Sequence, residues 1–275
     1  MTTLSDADLD AIMGDMRAAA LQEILPRFLA LTGDAIRTKT GPDDLVTDAD
    51  IGVERMLSEA LLTRFPGAVV VGEEAVSADP TLLDRLKTAE LAVIIDPVDG
   101  TWNFAHGLPL FGTMVAVVSG GEVVAGLIHY PLTADFLIAR KGGGAWHVAS
   151  NGARRPMRVA EAGAVADMLG LLALPLPPAT GRADFAARAT AFARTQTFRC
   201  SAYEYRLIIQ GSLIFSINAG LMPWDHAAGW LIHQEAGGYS ALLTGEPYHP
   251  AMTEGQLLLA PDAQSWRAIR DVMVE

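Results

Sequence analysis

The apolar run Leu91-Ala92-Val93-Ile94-Ile95 breaks off into Asp96-Pro97-Val98-Asp99-Gly100-Thr101, which sets two carboxylates three residues apart at the end of the run. By length and β-branched content the run reads as a buried strand. Pro97 fixes its own φ and keeps Ile95-Asp96 extended, so Asp96 is presented rather than folded back. Gly100 permits a tight turn, and Thr101 can begin a helix or turn with its N–H groups facing outwards. Hard oxygen ligands beside backbone donors suit a divalent cation plus a phosphate. Asp, Pro and Gly are equally the commonest turn residues, so the hexapeptide alone leaves an ordinary turn open as well.

Charge bounds what such a site can bind. A formal net charge of −12 and a pI near 4.9 argue against nucleic acid or an anionic membrane as partner. An acidic protein acting on an anionic substrate needs a cation to bridge the two. The single cysteine, Cys200, excludes an intramolecular disulfide and suits a reducing cytoplasm. The acidic N-terminus lacks a basic segment followed by an apolar run, and Gly, Glu, Asp or Pro interrupts the most apolar windows, around Phe111–Ile128 and Ala166–Pro175. Neither a signal peptide nor a membrane span is expected. With 51% hydrophobic residues, 275 residues can bury one large domain or two intimate lobes.

In chain order, Ser5 or Asp6 caps an amphipathic helix reaching Ile24. Ile36 to Asp44 reads as a mobile polar loop. A helix follows Leu45-Val46-Thr47-Asp48-Ala49-Asp50 and stops before Pro66-Gly67, placing Asp48 and Asp50 in its first turn. Ala68–Val71 is a second short strand ending in acids, Gly72-Glu73-Glu74. Antiparallel strands are expected at Met114–Val118, Val123–His129 and Asp135–Ala139, with a flexible turn at Gly142-Gly143-Gly144 and a hairpin turn at Asn151-Gly152. The pattern restarts near Arg155, suggesting an N-terminal lobe over about 1–153 and a C-terminal lobe over about 154–275. There Leu174–Pro178 reads as irregular, Ala183–Arg194 and Glu204–Gly211 as helices, and Ser212–Asn218 as strand. Trp224-Asp225-His226 opens a helix with Pro223 outside it and a glycine C-cap at Gly237-Gly238. Leu257–Ala260 and an amphipathic helix close the chain.

Six acids, Asp50, Glu73, Glu74, Asp96, Asp99 and Asp225, thus sit at element ends. Packed together without cations they would repel strongly. Two or three Mg²⁺ ions remove that objection, because Mg²⁺ accepts carboxylates, a carbonyl and waters. No His/Cys cluster has zinc spacing.

Four segments together resemble the inositol monophosphatase family of Mg²⁺-dependent, lithium-sensitive phosphatases, whose superfamily includes fructose-1,6-bisphosphatase. They are Asp44–Asp50, Gly72-Glu73-Glu74, Ile94–Phe104 and Trp224–Gly229, in the family's order and spacing. The resemblance implies an α/β fold of five alternating layers, αβαβα, a homodimer, and hydrolysis of small phosphomonoesters. Mn²⁺ can replace Mg²⁺ in such sites. Carried over by position, Glu73, Asp96 and the Val98 carbonyl hold a first metal, while Asp96, Asp99 and Asp225 hold a second. Glu73 reaches a third through water. Thr101, hydrogen-bonded to Asp50, orients the attacking water and helps Glu73 deprotonate it. The N–H groups of Gly100 and Thr101 receive the phosphate, and Asp99, Ser201 and Asp225 complete the substrate site. Lys39 falls on the family's mobile-loop lysine.

A haloacid-dehalogenase-type phosphatase is the nearest rival, but it needs Asp-x-Asp-Gly-Thr, and here Pro97 stands two residues before Asp99. A non-catalytic metal-binding regulator of the same fold would have lost a ligand, and none of these residues is lost. The substrate side departs from the pattern. The loop reads Cys200-Ser201-Ala202-Tyr203-Glu204-Tyr205, and Ile214 and Asn218 stand where acids hold the inositol hydroxyls in relatives. Sites built on such hydrogen bonds discriminate strongly, so sugar phosphates, histidinol phosphate and nucleotide 3′-phosphates stand beside inositol phosphate as candidates. Glu74, Ser201, Glu204 and Arg206 are possible contacts or plain polar residues of helix starts. Cys200 reads as small and buried, His226 as pointing away, and Trp102 and Trp224 as packing that shields the site.

Overall fold

The computed structural model describes residues 4–30, 36–41, 44–172 and 181–274. Helix α1 (Asp6–Ala19) opens on a capping box between Ser5 and Asp8 and runs into a π-helical turn, Ala20–Ile24. Strands β1 (Ile36–Gly41) and β2 (Asp44–Thr47) lead into α2 (Asp48–Arg64). Strand β3 (Val69–Gly72) is followed by α3 (Glu73–Ala78) and α4 (Leu82–Thr88), and β4 (Leu91–Asp99) by α5 (Thr101–Ala105). Five antiparallel strands come next: β5 (Gly112–Ser119), β6 (Glu122–Tyr130), β7 (Asp135–Arg140), β8 (Ala145–Val148) and β9 (Arg154–Pro156). The remainder comprises β10 (Leu169–Leu172), α6 (Arg182–Ala189), β11 (Arg194–Gln196), α7 (Ser201–Ile209), β12 (Phe215–Ala219), α8 (Pro223–Glu235), β13 (Tyr239–Leu242), β14 (Gln256–Ala260) and α9 (Ala263–Val274).

Two sheets, ordered β3-β4-β5-β6-β7-β8-β9 and β11-β10-β12-β14-β13, make the framework. Alternation along β4 and β5 splits the first sheet's apolar side chains between two cores. Val93, Ile95, Val115 and Val117 pack on Leu9, Ile12, Leu57 and Leu61 of α1 and α2. Ile94, Met114 and Ala116 pack on Tyr205, Ala228 and Ile232 of α7 and α8, which also meet Leu257 and Leu259 of β14. Beyond the second sheet, Phe215 and Leu258 pack on Phe185 of α6 and on Trp266 and Ile269 of α9. The layers therefore run αβαβα. Their middle layer is tight: a Cβ added at Gly126 of β6 would lie 2.5 Å from the Ala228 carbonyl oxygen of α8. Among the described residues no helix is long and apolar enough to cross a membrane.

Several elements differ from their sequence reading. Ile36 to Asp44, expected as a mobile loop, instead belongs to a hairpin with Ile36 opposite Thr47 and Thr38 opposite Leu45, and its polar residues reflect an edge position. Strand β4 continues past Ile95 to Asp99 through a bulge, where Pro97 and Val98 together face Thr113. The Thr113 hydroxyl, 2.9 Å away, satisfies the Pro97 carbonyl that the broken ladder leaves. Helix α6 stops at Ala189 instead of Arg194, because Phe192 turns into the core against Phe215. Pro223 is the first residue of α8, where its missing N–H costs nothing. In the triple-glycine turn, the Gly142 and Gly144 N–H groups donate to Glu235 at 2.7 and 2.8 Å. Leu174–Pro178 lies outside the described residues.

Candidate active site

Parallel pairing of β3 with β4 sets Gly72 opposite Ile95, so the next residues, Glu73 and Asp96, leave the same sheet edge side by side. The β4 bulge returns the chain to that edge at Asp99, and the first turn of α8 brings Asp225 in from the second half of the chain. Carboxylate oxygens of Asp96, Asp99 and Asp225 lie within 4.8 Å of one another. They open into a cavity of about 310 Å³ that Glu73, Gly100, Thr101, Ser201 and Glu204 also line.

The cluster is unstable as three bare anions. Asp96 is 1% exposed, and its Oδ1 has no hydrogen-bond partner among the described residues. Burial, then the charges of Glu73, Asp99, Asp225 and Asp50, push its pKa well above the ordinary range. Burial and Asp99 do the same to Asp225. An orphaned buried carboxylate oxygen amid like charges, with oxygen donors only, fits a hard divalent cation.

Asp99 is held differently. It accepts from the Cys200 thiol at 3.0 Å and the Ser201 and Ala202 N–H groups at 3.0 and 2.5 Å, and so caps α7 from a distance. Burial raises its pKa to about 6, with those three donors pulling against it. Cys200, as expected, is buried, and burial first, then Asp99, pushes its thiol pKa well up. Its donor role was not legible, since no spacing marks it.

Gly100 has φ +84°, and a Cβ there would meet the Leu110 carbonyl oxygen at 2.7 Å. The following hydroxyl, Thr101 Oγ1, lies 2.9 Å from the Val98 carbonyl and 3.2 Å from Asp50 Oδ1. One proton cannot serve both acceptors. Asp50 closes the capping box of α2, accepting from the Thr47 N–H and hydroxyl through Oδ2. Burial raises its pKa to about 7, Thr47 opposing and Glu73 and Glu74 adding to the shift.

Glu73 lies outside the three-carboxylate group, with Oε1 2.8 Å from Lys39 Nζ, and Lys39 also meets Glu74 Oε1 at 2.6 Å. Burial would lower the Lys39 pKa, but the two carboxylates hold it up. Glu54, one helical turn after Asp50, accepts from the Glu74 and Ala75 N–H groups at 2.9 and 2.8 Å and anchors the start of α3 that presents Glu73. The i,i+4 spacing to Asp50 was its only sequence signal.

Among the other candidates, Glu74 and Arg206 are not in the cavity wall. Arg206 lies over the Tyr130 ring and pairs with Asp135 at 2.7 Å. Glu204 does line the cavity, and its Oε1 accepts from the Phe198 N–H and the Thr197 hydroxyl. His226 contributes to the wall instead of pointing away, with Nδ1 3.2 Å from the Tyr205 hydroxyl.

Asp135 titrates as a structural group. Burial would raise its pKa, but Arg206, Thr133 and His147 bring it to about 2. A carboxylate so depressed contributes stability present above its ordinary pKa and lost as pH falls through about 2. Arg206→Ala is expected to cost about 2 kcal/mol at neutral pH. In chemical denaturation, its deficit should shrink steadily from pH 5 towards pH 2.

The sequence profile of the inositol monophosphatase family matches residues 8–272. The chain belongs to that family. It is 33% identical over 219 residues to the fructose-1,6-bisphosphatase/inositol-1-monophosphatase of Thermotoga maritima, covering 78% of this chain and 77% of that one. It is 32% identical to an inositol-1-monophosphatase of Caulobacter vibrioides, covering 73% and 77%. A solved IMPase of Thermotoga maritima superposes with a TM-score of 0.80 at 25% identity over 97% of this chain and 96% of that one. As an inositol monophosphatase-family protein, the chain is a phosphoric monoester hydrolase, and its buried acidic cluster is a site that could hold metal.

Proposed function

We propose that the chain hydrolyses a small phosphomonoester with Mg²⁺ as cofactor, by direct attack of water. The observation that carries this reading is the buried Asp96-Asp99-Asp225 cluster with its orphaned Asp96 oxygen, opening into a cavity beside Thr101. Glu73, Asp96 and the Val98 carbonyl would hold one cation, and Asp96, Asp99 and Asp225 a second. Bound there, the cations would supply Lewis acidity and lower the pKa of water.

The chain's own groups do the rest. Thr101 orients the attacking water, and its proton passes towards Asp50, whose Oδ1 lies 3.2 Å from the Thr101 hydroxyl. Glu73, gripped by Lys39, assists on the same side. The Gly100 and Thr101 N–H groups receive the phosphoryl oxygens, and the leaving oxygen sits towards Asp99 and Asp225. Ser201 lies beside it in the wall. The C-terminal lobe, from about residue 154, sets specificity, and a homodimer in the cytoplasm belongs to the same reading.

A phosphomonoester panel tests it. Activity is expected to vanish on chelation, return with Mg²⁺ or Mn²⁺, and fall with Li⁺. Metal-independent turnover, or a trapped acyl-phosphate in rapid quench, would overturn the mechanism. Binding of Mg²⁺ with no turnover across a broad panel would favour a regulator of the same fold.

A further inference from the structure

We propose that Glu54 is a positioning residue of the metal site, gripping the backbone beside Glu73 so that the Glu73 carboxylate stands ready for a cation. The inference rests on the proposed reading that a cation is held at Glu73.

Glu73 is the first residue of α3, so its direction depends on how β3 hands over to that helix. Gly72, the residue before α3, has no side chain to cap the first N–H groups. Glu54 supplies the cap from α2. Its Oε2 accepts from the Glu74 N–H at 2.9 Å and its Oε1 from the Ala75 N–H at 2.8 Å. Both oxygens thus hold the two residues that follow Glu73. Gly72 makes the room for them. A Cβ there would lie 2.3 Å from Glu54 Cδ and Oε2 and 2.7 Å from Oε1. At φ −99° the Gly72 backbone would suit any residue, so the carboxylate, and not the turn, requires the glycine.

A carboxylate is a costly cap if capping is its whole role. Glu54 is buried, and Glu73 and Glu74 lie near enough for their charges to oppose its own. A serine or asparagine at position 72 could close an N–H group without burying another charge among the acids. What Glu54 adds is a two-point grip from a separate helix. Asp50 stands one turn earlier on that helix, with Oδ1 3.2 Å from Thr101 Oγ1. One face of α2 therefore fixes both the hydroxyl proposed to orient the water and the segment that presents Glu73. It sets the spacing between them. A ligand already in place loses little freedom when a cation binds, so residues that hold ligands govern affinity.

Calorimetric titration with Mg²⁺ alone tests the inference on wild type, Glu54→Gln, Gly72→Ala, Glu73→Gln and the two double variants that include Glu73→Gln. Glu54→Gln keeps the size but sets an amide NH₂ against one of the two backbone donors. Gly72→Ala drives a methyl group into the place of the carboxylate. Each is expected to weaken Mg²⁺ binding about tenfold. On top of Glu73→Gln, neither should weaken it further by more than about twofold, because the grip acts through Glu73. A change confined to the fold would lower the melting temperature without this dependence on Glu73. Unchanged affinity in Glu54→Gln, or the same loss with and without Glu73, overturns the inference while leaving the hydrolase reading in place. Should Gly72→Ala fail to fold, the Glu54→Gln comparison decides alone. A wild type that binds no Mg²⁺ overturns the metal reading and this inference with it. Binding that depends on Glu54 through Glu73, with no phosphomonoester hydrolysed, supports the inference and counts against the hydrolase reading instead.

Discussion

Asp96→Asn is expected to lower metal-supported kcat/KM by about a thousandfold or more, on the order of 4 kcal/mol of transition-state stabilisation. No other residue in the cluster is proposed to serve both cations, so its loss weakens both positions at once. The same substitution should do the opposite to the metal-free fold. Asp96 is buried with Oδ1 unpartnered, among the charges of Glu73, Asp99, Asp225 and Asp50. A carboxyl whose folded pKa is raised opposes folding above its ordinary pKa, because the buried state resists ionisation. Removing that charge is therefore expected to raise, or at least hold, the melting temperature in chelator at neutral pH. The stabilisation on adding Mg²⁺ should shrink as well, since binding to the folded state alone is what raises it. Melting curves with and without Mg²⁺ check both signs. Full activity in the variant, or a large fall in metal-free stability, would remove Asp96 from the centre of the site.

The parts of this fold that were legible are those whose side chains report burial directly. Val93, Ile94 and Ile95 are apolar because both faces of β4 are covered, and Ser5 marks the start of α1 because its side chain accepts from the Asp8 N–H in the first turn. The hairpin at Ile36–Thr47 was missed because an edge pair needs no apolar alternation, and Arg37 and Lys39 look the same in a loop. The bulge was missed because Pro97 signals the end of a ladder, while Thr113, sixteen residues on, lets the strand resume. At the site, the acids that the structure gathers, Asp96, Asp99 and Asp225, could be picked out from their positions at element ends. The partners of those acids could not. Cys200, Ser201 and Ala202 close on Asp99 across about a hundred residues, and Asn103 and Glu204 pin Phe198 from two different helices. Such contacts come from the packing of layers, which no local pattern encodes.

Thr101→Ala should lower kcat by about a hundred- to a thousandfold while leaving KM within a few-fold, the signature of a group that acts on the reacting proton. The hydroxyl stands between two acceptors, the Val98 carbonyl at 2.9 Å and Asp50 Oδ1 at 3.2 Å, with a single proton to give. With the Val98 carbonyl engaged in holding a cation, as proposed, Asp50 would be the better acceptor. The hydroxyl oxygen could then accept from the incoming water while its own proton moves to Asp50. Asp50→Asn is the less clean probe, because Asp50 also closes the capping box of α2 through Thr47, and losing that contact costs about 1 kcal/mol on its own account. Thr101→Ala leaves the capping box intact and isolates the chemistry. Thr101→Ser keeps the hydroxyl and should recover most of kcat. A matching loss in Thr101→Ser, or a raised KM with unchanged kcat in Thr101→Ala, would make Thr101 a phosphate-holding or packing residue. Recovery with serine and loss with alanine, at constant KM, is the outcome that ties the Asp50–Thr101 pair to water activation.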